Sequence, residues 1–488
     1  MSEKFPQILV IPIDNRPVCY DLTLDTAKIF DGVKVYMPDT SILGDLNKTA
    51  DIEKIQGWTE HILASYPVDI TVLALDTIAY GGLISSRKTD AKFDEIKNNI
   101  DKYLEILRSK NKNMKIYAVS SIMRISDSNC NEEEKSYWDK YGKDLFRFSY
   151  LSHKLLKDYD VEIEAELIKL AKYLPFEVVE DYLDTRKRNY EINSYYIDLV
   201  KKGVLEDIVF SQDDTAEFGF NVEEKELLQR QSIKELVNDK VILKTGADEM
   251  IVSLLSKAIV DFYNEDVKIN PVIFNEEAKK IISLYENVNV EKSAQTAIKL
   301  CGGTVSADNT AIQLLLNAPN KVQDELCLEI YKDEENNEQA DKLNSFINDN
   351  SAKFIVSDIK KANGADNYLV EKLLNNKYDA ERFLGFAAWN TTSNTLGSVL
   401  AIGIIKYLAQ KYSQYNEEAF KKVLYTRFLD DWAYQANVRK VLRQNNSTDN
   451  VEAEMKPYKE KISQWLNYEV PTTYTFPWDR TFEIKINV

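Results

Sequence analysis

The sequence predicts an α/β protein, on two observations. Short apolar runs suited to buried strands alternate with segments of helical period, and the polar clusters follow those runs rather than precede them. That is the order in which α/β folds place ligands, at the carboxyl ends of their strands. About ten runs qualify as strands. Eight would close a (β/α)8 barrel, the leading expectation, with two left for an added edge or a second lobe. A doubly wound parallel sheet in two lobes is the alternative.

Taken in order, Gln7 to Ile13 is the first apolar run. It stops at Asp14-Asn15-Arg16-Pro17, a turn holding an acid, an amide and a guanidinium, with proline keeping Arg16 out of helical geometry. A helix is expected over 22–30, a second strand over 33–37 and a helix over 51–66. Asp69 to Leu75 is the third strand, followed by Asp76, Tyr80, Gly81-Gly82 and Arg87. Paired glycines permit positive φ and a close approach of backbone to ligand, beside which Tyr80 offers a hydroxyl and Arg87 a cation. After a helix at 93–107, Lys115 to Ser120 is the fourth strand, leading into Ser121-Ile122-Met123-Arg124.

From about 131 to 205 the chain is charged, tyrosine-rich and nearly free of glycine, which predicts a helical insertion acting as lid, oligomer contact or scaffold. The run Ile208-Val209-Phe210 ends at Ser211-Gln212-Asp213-Asp214, and a helix follows over 222–237. Val241 to Leu243 leads to Lys244-Thr245-Gly246-Ala247-Asp248-Glu249, a second junction with a lysine and two acids. Further strands are expected at 269–274, 311–316, 354–358 and 383–388, with Cys301 to Val305 preceding Asp308-Asn309 and the last strand ending at Trp389-Asn390-Thr391, with Asn394 inside the next helix. The Asp430-Asp431 pair falls within helical periodicity and reads as a salt-bridge and packing feature. Residues 1–410 are thus assigned to an α/β catalytic domain and 411–488 to a C-terminal helical cap.

Composition narrows the chemistry. A net charge of −17, from 79 acidic and 62 basic side chains, disfavours nucleic acid, which needs a basic face. No run is long and apolar enough to span a membrane, and no basic, apolar leader opens the chain. Cys19, Cys130, Cys301 and Cys327 lie far apart, which suggests reduced thiols in a cytoplasmic protein. With only His61 and His153 present, Ser-His-Asp hydrolysis and histidine-rich zinc sites are poor hypotheses. Dinucleotide and phosphate-loop glycine signatures are missing too. Chemistry must therefore run on carboxylates, amides, tyrosines and Lys/Arg.

Asp213-Asp214 is the leading catalytic pair. Two neighbouring acids repel, which raises the pKa of at least one and suits acid catalysis; the bland counterpart is a helix cap beside a solvated Asp. Asp14, Asn15, Arg16, Asp76, Tyr80, Arg87, Lys244, Asp248, Glu249, Trp389, Asn390 and Asn394 are the candidate substrate-binding residues. Trp389 is assigned a sugar-stacking face, and the asparagine amides contacts to hydroxyl or acetamido groups.

The set Asp14-Asn15-Arg16-Pro17, Tyr80-Gly81-Gly82 with Ser86-Arg87, Ser211-Gln212-Asp213-Asp214, Gly246-Ala247-Asp248-Glu249 and Trp389-Asn390-Thr391 with Asn394-Thr395-Leu396-Gly397 resembles a bacterial family of unknown-function proteins over nearly the whole chain. A second similarity is chemical: Asp213-Asp214 looks like the adjacent acids of substrate-assisted N-acetylhexosaminidases. There one acid orients the acetamido group and the next protonates the leaving oxygen.

These observations lead to a cytoplasmic glycoside hydrolase acting on a small sugar conjugate without a cofactor, with Asp214 as general acid/base and Asp213 as orienting group or nucleophile. Two alternatives remain. One is a magnesium- or manganese-assisted isomerase or lyase using Asp76, Asp213, Asp214 and Glu249. The other is a non-catalytic sugar-binding protein.

Overall fold

A computed structural model describes residues 5–213, 215–308, 310–333 and 336–488. Asp214, the expected general acid, lies outside the described residues. The chain divides into two compact units. The first holds Gln7–Asn15 and Val35–Ile251; the second holds Arg16–Lys34 and Val252–Val488, with the residues up to Pro6.

In the first unit the apolar runs become β1 (Gln7–Ile11), β2 (Lys34–Tyr36), β3 (Ile70–Ala74), β4 (Lys115–Ile122), β5 (Asp207–Gln212) and β6 (Val241–Thr245). They form one sheet in the order β2-β1-β3-β4-β5-β6. Strands β1, β3, β4, β5 and β6 pair in parallel, with Val10 opposite Val72, Leu73 opposite Ala118 and Phe210 opposite Leu243. Every residue of β3 and β5 is buried. That explains why both read as continuous apolar runs rather than as alternating strands.

The second unit contributes β7 (Val267–Ile273), β8 (Gly303–Val305), β9 (Ile312–Asn317), β10 (Asp324–Glu325), β11 (Phe354–Asp358), β12 (Lys361–Ala362), β13 (Phe383–Ala387), β14 (Thr473–Thr475) and β15 (Lys485–Asn487). Its main sheet runs β13-β11-β9-β7-β8, all parallel. The strands β10 and β12 form a short parallel pair, and β14 and β15 an antiparallel one.

The strands do not form the expected (β/α)8 barrel. The strands form two open sheets, and counted within its own unit each sheet begins 2-1-3-4-5, the flavodoxin-like order. Barrel and open sheet share the same strand–helix alternation; what separates them is where the chain reverses. Here β1 lies between β2 and β3, and β7 between β8 and β9, so each sheet grows in both directions and keeps two edges.

The stretch between β4 and β5 folds as three helices, Trp138–Lys157, Val161–Tyr173 and Phe176–Lys201. Their own small core gathers Trp138, Leu145, Leu174, Val178 and Tyr182. Buried Arg186 ties the third helix to the sheet by donating to the Met123 carbonyl at 2.9 Å while pairing with Glu224 at 2.7 Å. In the second unit the helix Thr392–Lys411 is buried along most of its length, as its nearly all-apolar middle requires. Among the described residues no helix is long and apolar enough to cross a membrane.

Candidate functional site

Three features of the first unit bring polar side chains to one edge of its sheet: parallel strands, apolar interiors, and chain reversal at β1/β3. In open α/β sheets the crevice beside such a reversal is where ligands sit. Asp14 and Asn15 follow β1, Asp76 and Tyr80 follow β3, Ser121 and Arg124 lie at and just past the end of β4, Asp213 follows β5, and Lys244 to Glu249 end β6 and the turn after it.

Asp76 occupies the reversal itself. It is 1% exposed and its Oδ2 accepts the Ser121 backbone N–H at 2.9 Å. Burial pushes its pKa up to about 7, outweighing the Ser121 hydrogen bond and the attraction of Arg87, both of which act downward. Thr77 beside it donates to the Pro12 carbonyl at 2.7 Å, joining the turn after β1 to the turn after β3. Gly81 and Gly82 follow at φ +87° and +131°. A Cβ on Gly81 would lie 3.0 Å from Thr49 Cβ, so the pair is demanded by backbone geometry.

Tyr80 is buried, with the Arg188 guanidinium 5.6 Å from its ring centre. Burial, reinforced by Asp76, drives the phenol pKa upward, so Tyr80 stays a hydrogen-bond donor.

Arg87 is 1% exposed and faces Asp213 at 2.9 Å, Glu133 at 3.2 Å and Glu134 at 3.6 Å. Arg124 meets the same three acids, Glu133 and Glu134 at 2.9 Å and Asp213 at 3.5 Å. Asp213 is thus held by two guanidiniums. Arg124, Glu133 and Glu134 escape a reading centred on the Asp-Asp pair, although Arg124 obeys the same strand-end rule. A cleft of ≈ 770 Å³ lined by Lys88, Lys135 and Asp181 reaches this cluster through Glu134.

At the end of β6, buried Lys244 donates to Glu249 Oε1 at 2.7 Å and to the Thr245 carbonyl at 2.8 Å. The second Glu249 oxygen is buried and has no hydrogen-bond partner among the described residues. Gly246, at φ +100°, makes room: a Cβ there would stand 2.3 Å from Glu249 Oε1. Gly246→Ala is expected to cost about 1–3 kcal/mol of stability, read as a lower urea midpoint with an unchanged slope.

The remaining expected residues belong to the second unit. Arg16 is separated from Asp14 and Asn15 by the unit boundary; it pairs with Glu483 at 3.0 Å and lies over the Trp478 ring. Trp389 is 4% exposed, its ring edge-on to Phe482. Asn390 takes a left-handed conformation at φ +61° and its carbonyl accepts from the Asn363 N–H. Asn394 is buried in the first turn of its helix, with Thr391 as the cap. Trp389 and Asn394 are packed into the unit and Asn390 is half-buried; the pair Asp430-Asp431 is also buried and lies in a π-helical stretch, Phe428–Val438. Arg427 contacts Asp430 at 2.8 Å and Asp431 at 3.1 Å, and Asp431 accepts the Ala388 N–H at 2.7 Å. Burial, reinforced by the neighbouring carboxylates Asp366 and Asp430, raises the pKa of Asp358 and of Asp431 as well. The sequence offered little warning of Asp358, which reads as the last residue of a strand.

His61 is exposed; His153 is buried and accepts the Gly219 N–H at 3.1 Å. All four cysteines are free thiols. Among the described residues no group of three or more His, Cys, Asp or Glu side chains is arranged to hold a metal ion.

No curated protein matches the chain. Its residues 8–487 match the model of the family described as "Protein of unknown function (DUF4127)", and the chain belongs to that family.

Proposed function

We propose that the chain is an acid–base hydrolase of the glycosidase type, acting on a small sugar conjugate at the carboxyl edge of the first unit's sheet. The observation that carries this reading is Asp76, a carboxyl at the strand reversal whose pKa is raised to about 7. Such a group is protonated often enough at neutral pH to give a proton and ionised often enough to take one back. Asp213, clasped by Arg87 and Arg124, is the second carboxylate. Placing two acids in unlike surroundings is how one site comes to contain both an acid and a base.

In this reading Asp76 protonates the glycosidic oxygen as the bond to the anomeric carbon breaks. Asp213 takes a proton from the water that attacks the opposite face. One strand, β4, separates β3 from β5, which sets the two strand ends about 10 Å apart. Room for a water between acid and base is what an inverting reaction requires. Asp76 thereby takes the acid role expected of Asp214. The free cysteines favour a reducing, cytoplasmic setting, and the net charge of −17 favours a small-molecule partner over nucleic acid.

The test is turnover of a panel of nitrophenyl glycosides, N-acetylhexosaminides included, with and without EDTA. Cleavage that survives EDTA, is lost in Asp76→Asn and inverts the anomeric centre is the expected result. Cleavage lost to EDTA would instead favour the magnesium or manganese enzyme. No cleavage of any member would contradict the glycosidase.

A further inference from the structure

The helix Val161–Tyr173 has no fully buried residue, yet Val161, Ile163, Ala165, Leu167, Ile168 and Leu170 make it one of the more apolar helices of the insertion. Ile163, Leu167 and Leu170 are half-buried and face inward, whereas Val161, Ala165 and Ile168 form an exposed stripe at i, i+4 and i+7. Both ends of the stripe are apolar. Leu156 and Tyr159 are about 70% exposed before it, and Tyr173 and Phe176 are 60% and 74% exposed after it. This is the densest run of exposed large apolar side chains among the described residues, and such a patch marks an interaction surface.

The charges along the helix say what covers it. Glu162, Glu164 and Glu166 occupy the first half, Lys169 and Lys172 the second. Glu162 and Lys172 are exposed and have no ion-pair partner within the chain among the described residues. A surface acidic at one end and basic at the other is complementary to itself turned end for end, which is the requirement of a two-fold contact. A two-fold axis crossing near Leu167 sets Glu162 beside Lys172 of the second copy, while Glu166 stays paired with Arg147 of its own chain at 2.7 Å. Ala165 at the centre of the stripe allows close approach, and Leu156 and Tyr159 meet Tyr173 and Phe176 of the other copy.

We propose that the protein forms a homodimer through antiparallel packing of this helix, with Val161, Ala165 and Ile168 at its centre and Glu162–Lys172 pairs at its rim. The inference is independent of the proposed reaction, since its residues lie on the insertion rather than on the strand edge.

Sedimentation of the full chain across a micromolar range tests it. The wild-type chain is expected to dimerise, and Ile168→Glu, an exposed position, to be monomeric with an unchanged circular dichroism spectrum. Glu162→Lys and Lys172→Glu should each weaken the dimer on the order of tenfold by opposing like charges twice over. The double variant Glu162→Lys/Lys172→Glu should recover the wild-type affinity. A wild-type monomer at every concentration, an Ile168→Glu dimer, or a double variant no tighter than the single ones would each overturn the proposal.

Discussion

Replacing Asp76 with asparagine is expected to slow catalysis by orders of magnitude and stabilise the fold above neutral pH. The loss of kcat should be about 10²–10⁴-fold, the range of positioned general acids. The gain in stability comes from the same burial that tunes the group. Folded Asp76 keeps its proton up to about pH 7, against an ordinary value of 3.8. Between these values the folded state binds more protons than the unfolded chain, so stability falls as pH rises through that window. Above it the full cost of the buried charge is present, on the order of 4 kcal/mol for about three pH units. The asparagine carries none of this cost, and its amide oxygen still accepts from Ser121. Urea denaturation of both proteins at pH 4 and pH 8 checks it: the variant's advantage should be small at pH 4 and large at pH 8. Equal differences at the two values would contradict the burial account.

The second large effect is expected at Arg87. This side chain, 1% exposed, faces three carboxylates, and Glu134 among them is itself buried. Arg87→Met leaves those acids short of a counter-charge, and removing one member of a buried ion pair costs about 3–5 kcal/mol. Arg124→Met should cost less, because Arg124 is more exposed and water replaces part of what is lost. Adding Glu134→Gln to Arg87→Met should restore part of the stability, as coupled neighbours do. Urea midpoints for the four proteins order these effects. An Arg124→Met midpoint lower than that of Arg87→Met would contradict the view that Arg87 anchors the cluster.

How much of this was legible in the sequence differs by level. The strands were, because parallel strands buried on both faces leave uninterrupted apolar runs: Phe354 to Asp358 is expected and found, and Ile70 to Ala74 lies within its expected run. Strand order was not. Alternation of strand and helix is common to barrels and open sheets, and nothing in Gln7 to Ile13 tells that β1 lies between β2 and β3. The strand-end rule brought Asp76, Tyr80, Arg87, Asp213, Lys244 and Glu249 to one sheet edge. It also grouped Arg16 with Asp14 and Asn15, although the chain passes into the other unit between Asn15 and Arg16, which adjacency in sequence cannot reveal. The weight placed on Asp213-Asp214 as a repelling pair overlooked Arg87 and Arg124. Their approach to Asp213 depends on a loop and a helix more than eighty residues earlier in the chain. Burial of a single carboxyl such as Asp76 is likewise a tertiary property.

The proposed reaction requires Asp76 to carry a proton near neutral pH, and its carboxyl carbon can be watched directly. The measurement is a ¹³C NMR titration of aspartate-labelled protein from pH 4 to 9, with Asp76→Asn identifying the resonance. A midpoint near 7 is the expected result. A midpoint below 5 would mean that the carboxyl is ionised throughout the neutral range, and Asp76 could not serve as the acid.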